Sequence, residues 1–486
     1  MLLGLPSELL SHVCAMLEVP DVLQLSSTCR YFSHLCSQRS LWLNLLDELD
    51  FYETPDFPPH RAISSYSTKE LRIRTINAVN IARSSRGDGM LRFSHLNRIH
   101  IPVREQTDEL LVRKVDPLLL PGGQRMLVNN QGYLELWSVA KFDSEHHCLW
   151  QTNPTNDFGK VVSFHGEVVE CDTAIVIAGI FVNARSHLRL RVYRFDEESQ
   201  QCRLATETEL PASVHASHVP KLYGKFILIY RSGLLEVSIF DWASKRRNTV
   251  TFTDAHGEDF QIKSALLIED ILVAIGDCSD DHQSNTIRIF SVRVERLLSN
   301  NRDSDADNED YTSVRIHHLQ LLHGTGGRWG FAVNAFRPSW KRRSNVPIEI
   351  FVVALGQSRK MTMHSFRLQL DTSNNDETQT TVTIPASGFL RMHLKETSRA
   401  VCTQHPLAIS NSLSYSGLFF TLSPTFKCFA AFHDDAQPSA IHAKTSELLL
   451  EGLVHGNKNS ALVSIEPRSN AISVGSEGMA SILRIN

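Results

Sequence analysis

Two hydrophobic rhythms divide this chain. Near the start, Leu9, Leu10, Val13, Cys14 and Leu17 recur at the three- and four-residue spacing of one helix face. Pro6 precedes them where a first-turn residue has no hydrogen bond to give. Glu8 follows in the same turn, where the helix dipole favours an anion. Pro20 is expected to end this helix and Asp21 to cap a second one carrying Val22, Leu23 and Leu25. Ser27 or Thr28 is placed to cap a third through Cys29, Phe32, Leu35 and Cys36, and Ser40 a fourth with Leu41, Trp42, Leu45, Leu46 and Leu49. All are shorter than an isolated helix stable in water, so mutual packing must hold them. Their apolar residues exceed one internal seam, and a unit this small buries surface inefficiently. Part of that surface is expected to await a partner, as a helix does in a groove.

Residues 50–90 read as a linker. Pro55, Pro58 and Pro59 resist helix and strand. A helix is predicted over 67–83, opened by a capping box of Ser67 and Glu70, with Leu71, Ile76, Val79 and Ile81 on one side and Lys69, Arg72, Arg74 and Arg83 facing water. It is expected to space two modules. From residue 91 to 486 the period shortens to that of strands. "MLVNNQGYLELWSV" (126–139) is strand, tight turn, strand, and similar phrases recur at 174–195, 226–242, 271–292, 350–368 and 471–485, with a weaker unit at 408–421. The first four start at the spacing of four-stranded propeller blades. "SNNRDSDADNEDY" is an acidic insertion expected to be a loop.

Most of these phrases carry an aromatic near the end of their second strand: Trp137, Phe195, Trp242, Phe290 and Phe366. The position resembles the Trp of WD repeats, although the Gly-His and Trp-Asp marks are mostly missing. A degenerate WD-like β-propeller of six or seven blades is the implied architecture, closed by pairing of strands near 92–115 with the last repeat. A β-sandwich or a pair of barrels is the alternative. The fold class is thus α+β and multidomain: a helical unit over 1–49, the linker, and an all-β region.

"LPSELL…V…ML…DVLQLSSTCRYFSHL…SLW" resembles an F-box, matching at Leu5, Pro6, Glu8, Leu9, Leu23, Leu25, Cys29, Arg30, Phe32, Leu41 and Trp42. The resemblance implies docking on a Skp-type adaptor that joins a cullin scaffold, with Leu5, Pro6, Leu9, Val13 and Leu23 facing the adaptor and Trp42 organising the helices. It further implies a non-catalytic substrate-recognition subunit of a ubiquitin ligase, binding an unidentified target protein through the propeller. A scaffold that binds the adaptor without ubiquitin transfer is the second reading, and a propeller enzyme the third.

Composition narrows the field. A net charge of −4 over 486 residues lacks the basic excess of a general nucleic-acid surface. Nine cysteines, none in a Cys-x-x-Cys pair, argue against a disulfide framework and for free thiols in the cytoplasm or nucleus. The longest apolar run, 174–182, is about half a membrane span. No cofactor or metal is expected. His146, His147 and Cys148 are neighbours that a strand would point apart, and "HGTGGRWGF" lacks the Lys-Ser/Thr of a phosphate loop. Propeller topology instead gathers the loops between second and third strands at one rim. Arg185, Arg231, and Arg359 with Lys360 fall there, as candidates for a carboxylate or phosphate on a target.

Overall fold

The structure is a computed structural model of the whole chain; it describes residues 6–49, 63–86, 93–102, most of 115–299 and the strands that follow as far as 485. Five helices form the start: α1 (Ser7–Ala15), α2 (Val19–Ser26), α3 (Arg30–Leu35), α4 (Arg39–Glu48) and, after a 3-10 turn at Ile63–Ser65, α5 (Thr68–Arg86). Three expected caps are corrected. Pro20 lies inside the first turn of α2, where its missing N–H costs nothing, and Asp21 sits in that turn without capping it. Ser27 and Thr28 turn their hydroxyls back to the carbonyls of Gln24 (2.6 Å) and Leu25 (2.8 Å), which leaves Cys29 at the α3 boundary. Ser40 lies within α4, one residue past its start.

One core binds the helices. Leu10, Cys14, Val22, Leu35, Leu41, Trp42, Leu45 and Leu46 meet in it. Trp42 is fully buried and its indole N–H donates to the Cys36 carbonyl at 2.7 Å. Burial pushes the Cys36 thiol up to about 11. Ser67 and Glu70 form the capping box read from the sequence: the Ser67 N–H and hydroxyl both reach Glu70 Oε2 at 2.7 Å, and the Glu70 N–H reaches Ser67 Oγ at 3.3 Å.

Helix α5 departs from the expected free-standing spacer. Leu71, Thr75, Ala78 and Val79, spaced on one helix face, are all buried, and the three apolar residues among them share the core of α1–α4. Arg72 and Arg74 are half-buried rather than water-facing, with guanidinium carbons 5.7 Å from the Trp42 ring centre and 5.2 Å from that of Tyr66. Arg39 of α4 donates to the carbonyls of Ile63 (3.2 Å), Ser64 (3.1 Å) and Tyr66, tying down the turn before α5.

The strands that follow group into seven sheets among the described residues. After β1 (Phe93–His100), the first sheet holds β2 (Val115–Leu119), β3 (Arg125–Asn130), β4 (Tyr133–Ser138) and β5 (Cys148–Gln151). The second holds β6 (Lys160–Val169), β7 (Ala174–Val182), β8 (Leu188–Asp196) and β9 (Gln201–Glu209). The third holds β10 (Val219–Tyr223), β11 (Phe226–Tyr230), β12 (Glu236–Asp241) and β13 (Arg246–Thr253). The fourth opens with β14 (Phe260–Ile268), β15 (Ile271–Cys278) and β16 (Ile287–Arg293). Three later sheets run over 328–393, 408–447 and 462–485. Within each sheet the chain mostly turns back on itself in antiparallel order. The Asn129–Gly132 turn shows why: Gln131 and Gly132 hold positive φ of 58° and 93°, and Asn129 Oδ1 accepts the Gly132 N–H at 2.9 Å.

Strand β1 pairs antiparallel with the final strand, Phe93 opposite Ile485 and His100 opposite Met479, so the chain's last sheet takes its outer strand from the start of the β region. The apolar clusters lie between consecutive sheets. Leu127, Leu134 and Leu136 of the first meet Val161, Ile175 and Phe195 of the second. Val176, Ala178 and Leu190 of the second meet Ile227, Ile229 and Phe240 of the third. Val237, Ile239 and Val250 of the third meet Phe260 and Leu272 of the fourth. Val115, Met126 and Trp137 of the first meet Ala480 and Ile482 of the last. The five repeated aromatics sit on or just after the third strands of five of the seven sheets, and Trp137 and Phe195 pack between neighbouring sheets.

At the junction of first and last sheets, a Cβ on Gly475 would overlap the Val115 carbonyl oxygen, a backbone atom that cannot rotate away. Gly475→Ala is therefore expected to destabilise the β region by about 3 kcal/mol. Urea unfolding followed by tryptophan fluorescence checks this; an unchanged midpoint would contradict the close approach.

Candidate functional site

Helix α1 turns Leu10 and Cys14 inward, each 1% exposed. The same geometry sends Leu9, Val13 and Met16 outward, at 53%, 44% and 77% exposure. These three occupy i, i+4 and i+7, one stripe on one helix face. Pro6, exposed at the N-terminal end, extends it, and its carbonyl accepts the Leu10 N–H at 3.1 Å. Leu23 on α2 is half-buried and packs against the helical core, so it reaches this surface only in part. Leu5 lies outside the described residues. Met16, the most exposed of the large apolar residues among those described, was not singled out from the sequence, although its place three residues after Val13 continues the stripe.

The second predicted surface is seen in fragments. Arg185 is exposed in the turn between β7 and β8, the second and third strands of their sheet. Asn183 Oδ1 accepts the N–H groups of both Arg185 and His187 at 3.0 Å, and His187 Nδ1 lies 3.5 Å from Glu209 Oε1. Arg231 and Arg359 fall between second and third strands of their own sheets but lie outside the described residues. Lys360 opens the strand Lys360–Gln369, and its side chain is likewise outside them. Among the described residues, no group of three His, Cys, Asp or Glu is placed to hold a metal, and no helix is long and apolar enough to cross a membrane.

Three ionisable residues on the sheets' first strands escaped the sequence reading, because alternation along a strand marks faces and not depth. Burial raises the Asp116 carboxyl on β2 to about 6. It lowers Lys221 on β10 to about 8. His165 on β6 accepts the Leu222 N–H through Nδ1 at 3.3 Å, and burial, aided by the nearby Lys221 charge, pushes it down to about 3. Below about pH 6.5 the unfolded imidazole takes a proton that the folded one refuses, so stability falls as pH drops through that window. Between pH 7.5 and 5.5 the protein is expected to lose about 1.4 kcal/mol more than a His165→Asn variant, whose amide oxygen stands where Nδ1 does and can still accept from the Leu222 N–H. Parallel urea curves at the two pH values for both proteins test it; equal losses would contradict a neutral, desolvated imidazole.

The segment that carries the α1 stripe is also the one that known families recognise: residues 2–47 match the F-box-like family. The chain carries an F-box-like domain. No curated protein matches the sequence. Solved structures similar in outline include that of U3-55K, 8% identical, with a TM-score of 0.41 over 80% of this chain and 98% of that one. A putative 6-phosphogluconolactonase from Bacteroides uniformis is 10% identical, with a TM-score of 0.37 over 74% of this chain and 89% of that one. Saccharomyces cerevisiae Sqt1 is 7% identical, with a TM-score of 0.34 over 76% and 83%. Likenesses so distant carry nothing further. The outward stripe on α1 lies within the matched residues, and helix α5 lies beyond them, packed on the same core.

Proposed function

We propose that this chain is the substrate-recognition subunit of a Skp–cullin–F-box ubiquitin ligase. Its F-box-like domain binds the Skp-type adaptor through Leu5, Pro6, Leu9, Val13 and Leu23, joined by Met16. The division falls in 50–90, with α5 on the helical side. The β region is a propeller with one blade per sheet, seven in all, and β1 closes the ring. It holds a target protein at the rim carrying Arg185, Arg231, Arg359 and Lys360. The complex works in the cytosol or nucleus.

The observation that carries this is the exposed Leu9–Val13–Met16 stripe on a helix inside the family-matching segment. Three large apolar side chains on one face lose water contact only if a partner covers them, at roughly 25 cal/mol per Å² buried. Catalysis comes from proximity: tethering the target beside a charged conjugating enzyme raises the effective concentration of its lysines, and no residue of this chain touches the reacting bond.

The test is co-purification of the full chain with the adaptor and the cullin. Adaptor together with cullin is the expected result. Adaptor without cullin would replace the ligase by a scaffold, and capture of neither would remove the proposal. For the target face, charge reversal of Arg185, Arg231 and Arg359 to Glu is expected to abolish target capture; unchanged capture would dismiss that rim.

A further inference from the structure

Between the third and fourth strands of the fourth sheet the chain makes an excursion. After β16 it forms α6 (Val294–Ser299), then β17 (Tyr311–Arg315), and only then returns as β18 (Gln320–Leu322) to pair with β16. Strand β17 does not join its own sheet. It runs along the outer edge of β13 in the third, Tyr311 opposite Thr249 and Arg315 opposite Thr253, and it is parallel where β10 to β13 are antiparallel to one another.

The covered edge is unlike the outer edge of the second sheet. Strand β9, the outer strand of the second sheet, carries Arg203, Glu207 and Glu209 along an exposed length and, among the described residues, receives no added strand. Charge of that kind blunts an edge against pairing. The covered stretch of β13 is Thr249-Val250-Thr251-Phe252-Thr253, uncharged and mostly β-branched. Such a stretch is a template for strand addition, the way extended segments dock on sheet edges.

The strap is also fixed at both ends by contacts separate from its own ladder. On α6, the Glu295 carboxylate accepts from Lys225 Nζ at 2.7 Å and from Arg246 Nη2 at 2.9 Å. The Leu297 carbonyl accepts from Asn248 Nδ2 at 2.6 Å. Val294, Leu297 and Leu298 are buried against Val250, Phe252 and Phe260. At the other end β18 is held by β16. Release of β17 leaves both anchors in place. What it gives up is a five-residue parallel ladder, the less stable of the two kinds of pairing per residue.

We propose that the outer edge of β13 is a docking edge for an extended protein segment running parallel to it, and that β17 is its resident, exchangeable occupant. The partner it fits has the chemistry of Tyr311-Thr312-Ser313-Val314-Arg315: β-branched and hydroxyl residues, without acidic side chains. Because the resident strand is tethered, it competes at high effective concentration, and a partner segment gains the edge only by outcompeting it. The proposal is independent of adaptor binding.

The probe is a fluorescein-labelled peptide of residues 311–317, followed by fluorescence anisotropy against the full chain and against a full-length variant with 311–315 replaced by Gly-Ser-Gly-Ser-Gly. The variant is expected to bind at least about tenfold more tightly than the unmodified chain. A peptide with both Thr312→Pro and Ser313→Pro is expected not to bind, since adjacent N–H groups point to opposite sides and one of them must face β13. No binding by a variant that keeps its melting temperature, or a variant that fails to fold, overturns the proposal. Hydrogen exchange on the unmodified chain gives a second measure. Amides of 311–315 are expected to exchange at least about 100-fold faster than those of β11 and β12; equal protection makes β17 an integral strand and overturns it.

Discussion

Replacing Leu9 and Val13 together with aspartate is expected to reduce capture of the Skp-type adaptor by at least about 100-fold while leaving the fold intact. Two outward side chains in the centre of a docking surface are worth about 3 kcal/mol or more, and 2.8 kcal/mol corresponds to that factor. The aspartates add the cost of burying unpaired charge under the adaptor. In the free chain the same positions are 53% and 44% exposed, so the change costs the isolated protein within about 0.5 kcal/mol. Binding and stability should therefore separate: surface plasmon resonance falls to background while the circular dichroism melt stays in place. Leu10→Asp is the contrast. It is 1% exposed, so it should lose binding and fold together. Full adaptor capture by the Leu9/Val13 variant would remove α1 from the interface.

How much of this was legible beforehand differs between the two regions. In the helical unit, periodicity located each helix to within a few residues, because burial at i, i+3 and i+4 leaves its mark on the sequence. It did not separate Leu9 from Leu10 by fate. Both are leucines on adjacent positions, and only the packing of α1 on α4 decides which one turns inward. Cap chemistry misled where two devices compete: Ser27 and Thr28 have the right side chains for an N-cap, but their hydroxyls back-bond to the end of α2. Helix α5 was visible and its capping box was read correctly. Its partner was not, because Arg72 and Arg74 look solvated in a sequence whereas long guanidinium stems can lie flat over aromatic rings.

In the β region, the strand–turn–strand phrases proved to be second and third strands of sheets, and second strands such as β7 and β11 are buried along nearly their whole length and rich in Val, Ile and Leu. The weaker unit at 408–421 was out of step: its strands are the first and second of their sheet. First strands were hard to see because they are short or carry polar residues such as Asp116, His165 and Lys221. The parallel strap was illegible, since nothing local to Tyr311–Arg315 says which sheet it will join. The Arg rim was a topological inference from strand order, and Arg185 alone of its members can be followed to its side chain.

Trp42→Ala is expected to unfold the helical unit. The indole is fully buried among Leu10, Leu41, Leu45 and Leu46, and its N–H donates to the Cys36 carbonyl. Replacing a buried Trp by Ala costs about 4 kcal/mol, and a lost partner for a buried carbonyl adds about 1 kcal/mol or more. A unit of four short helices and one longer one has little stability to spare against that. Trp42 also lies under Arg72, so the loss should spread to α5, which the sequence assigned to a linker. Hydrogen exchange is the decisive readout: amides in α1, α4 and α5 should lose protection together, while those of β7 and β11, whose apolar clusters share no residue with the helical core, keep theirs. Trp42→Phe retains most of the packing and loses only the N–H, and should cost about 1 to 2 kcal/mol with α5 still docked. Were α5 to stay protected in the alanine variant while α1 and α4 opened, the helical unit would end at α4 and the spacer would have to be reinstated.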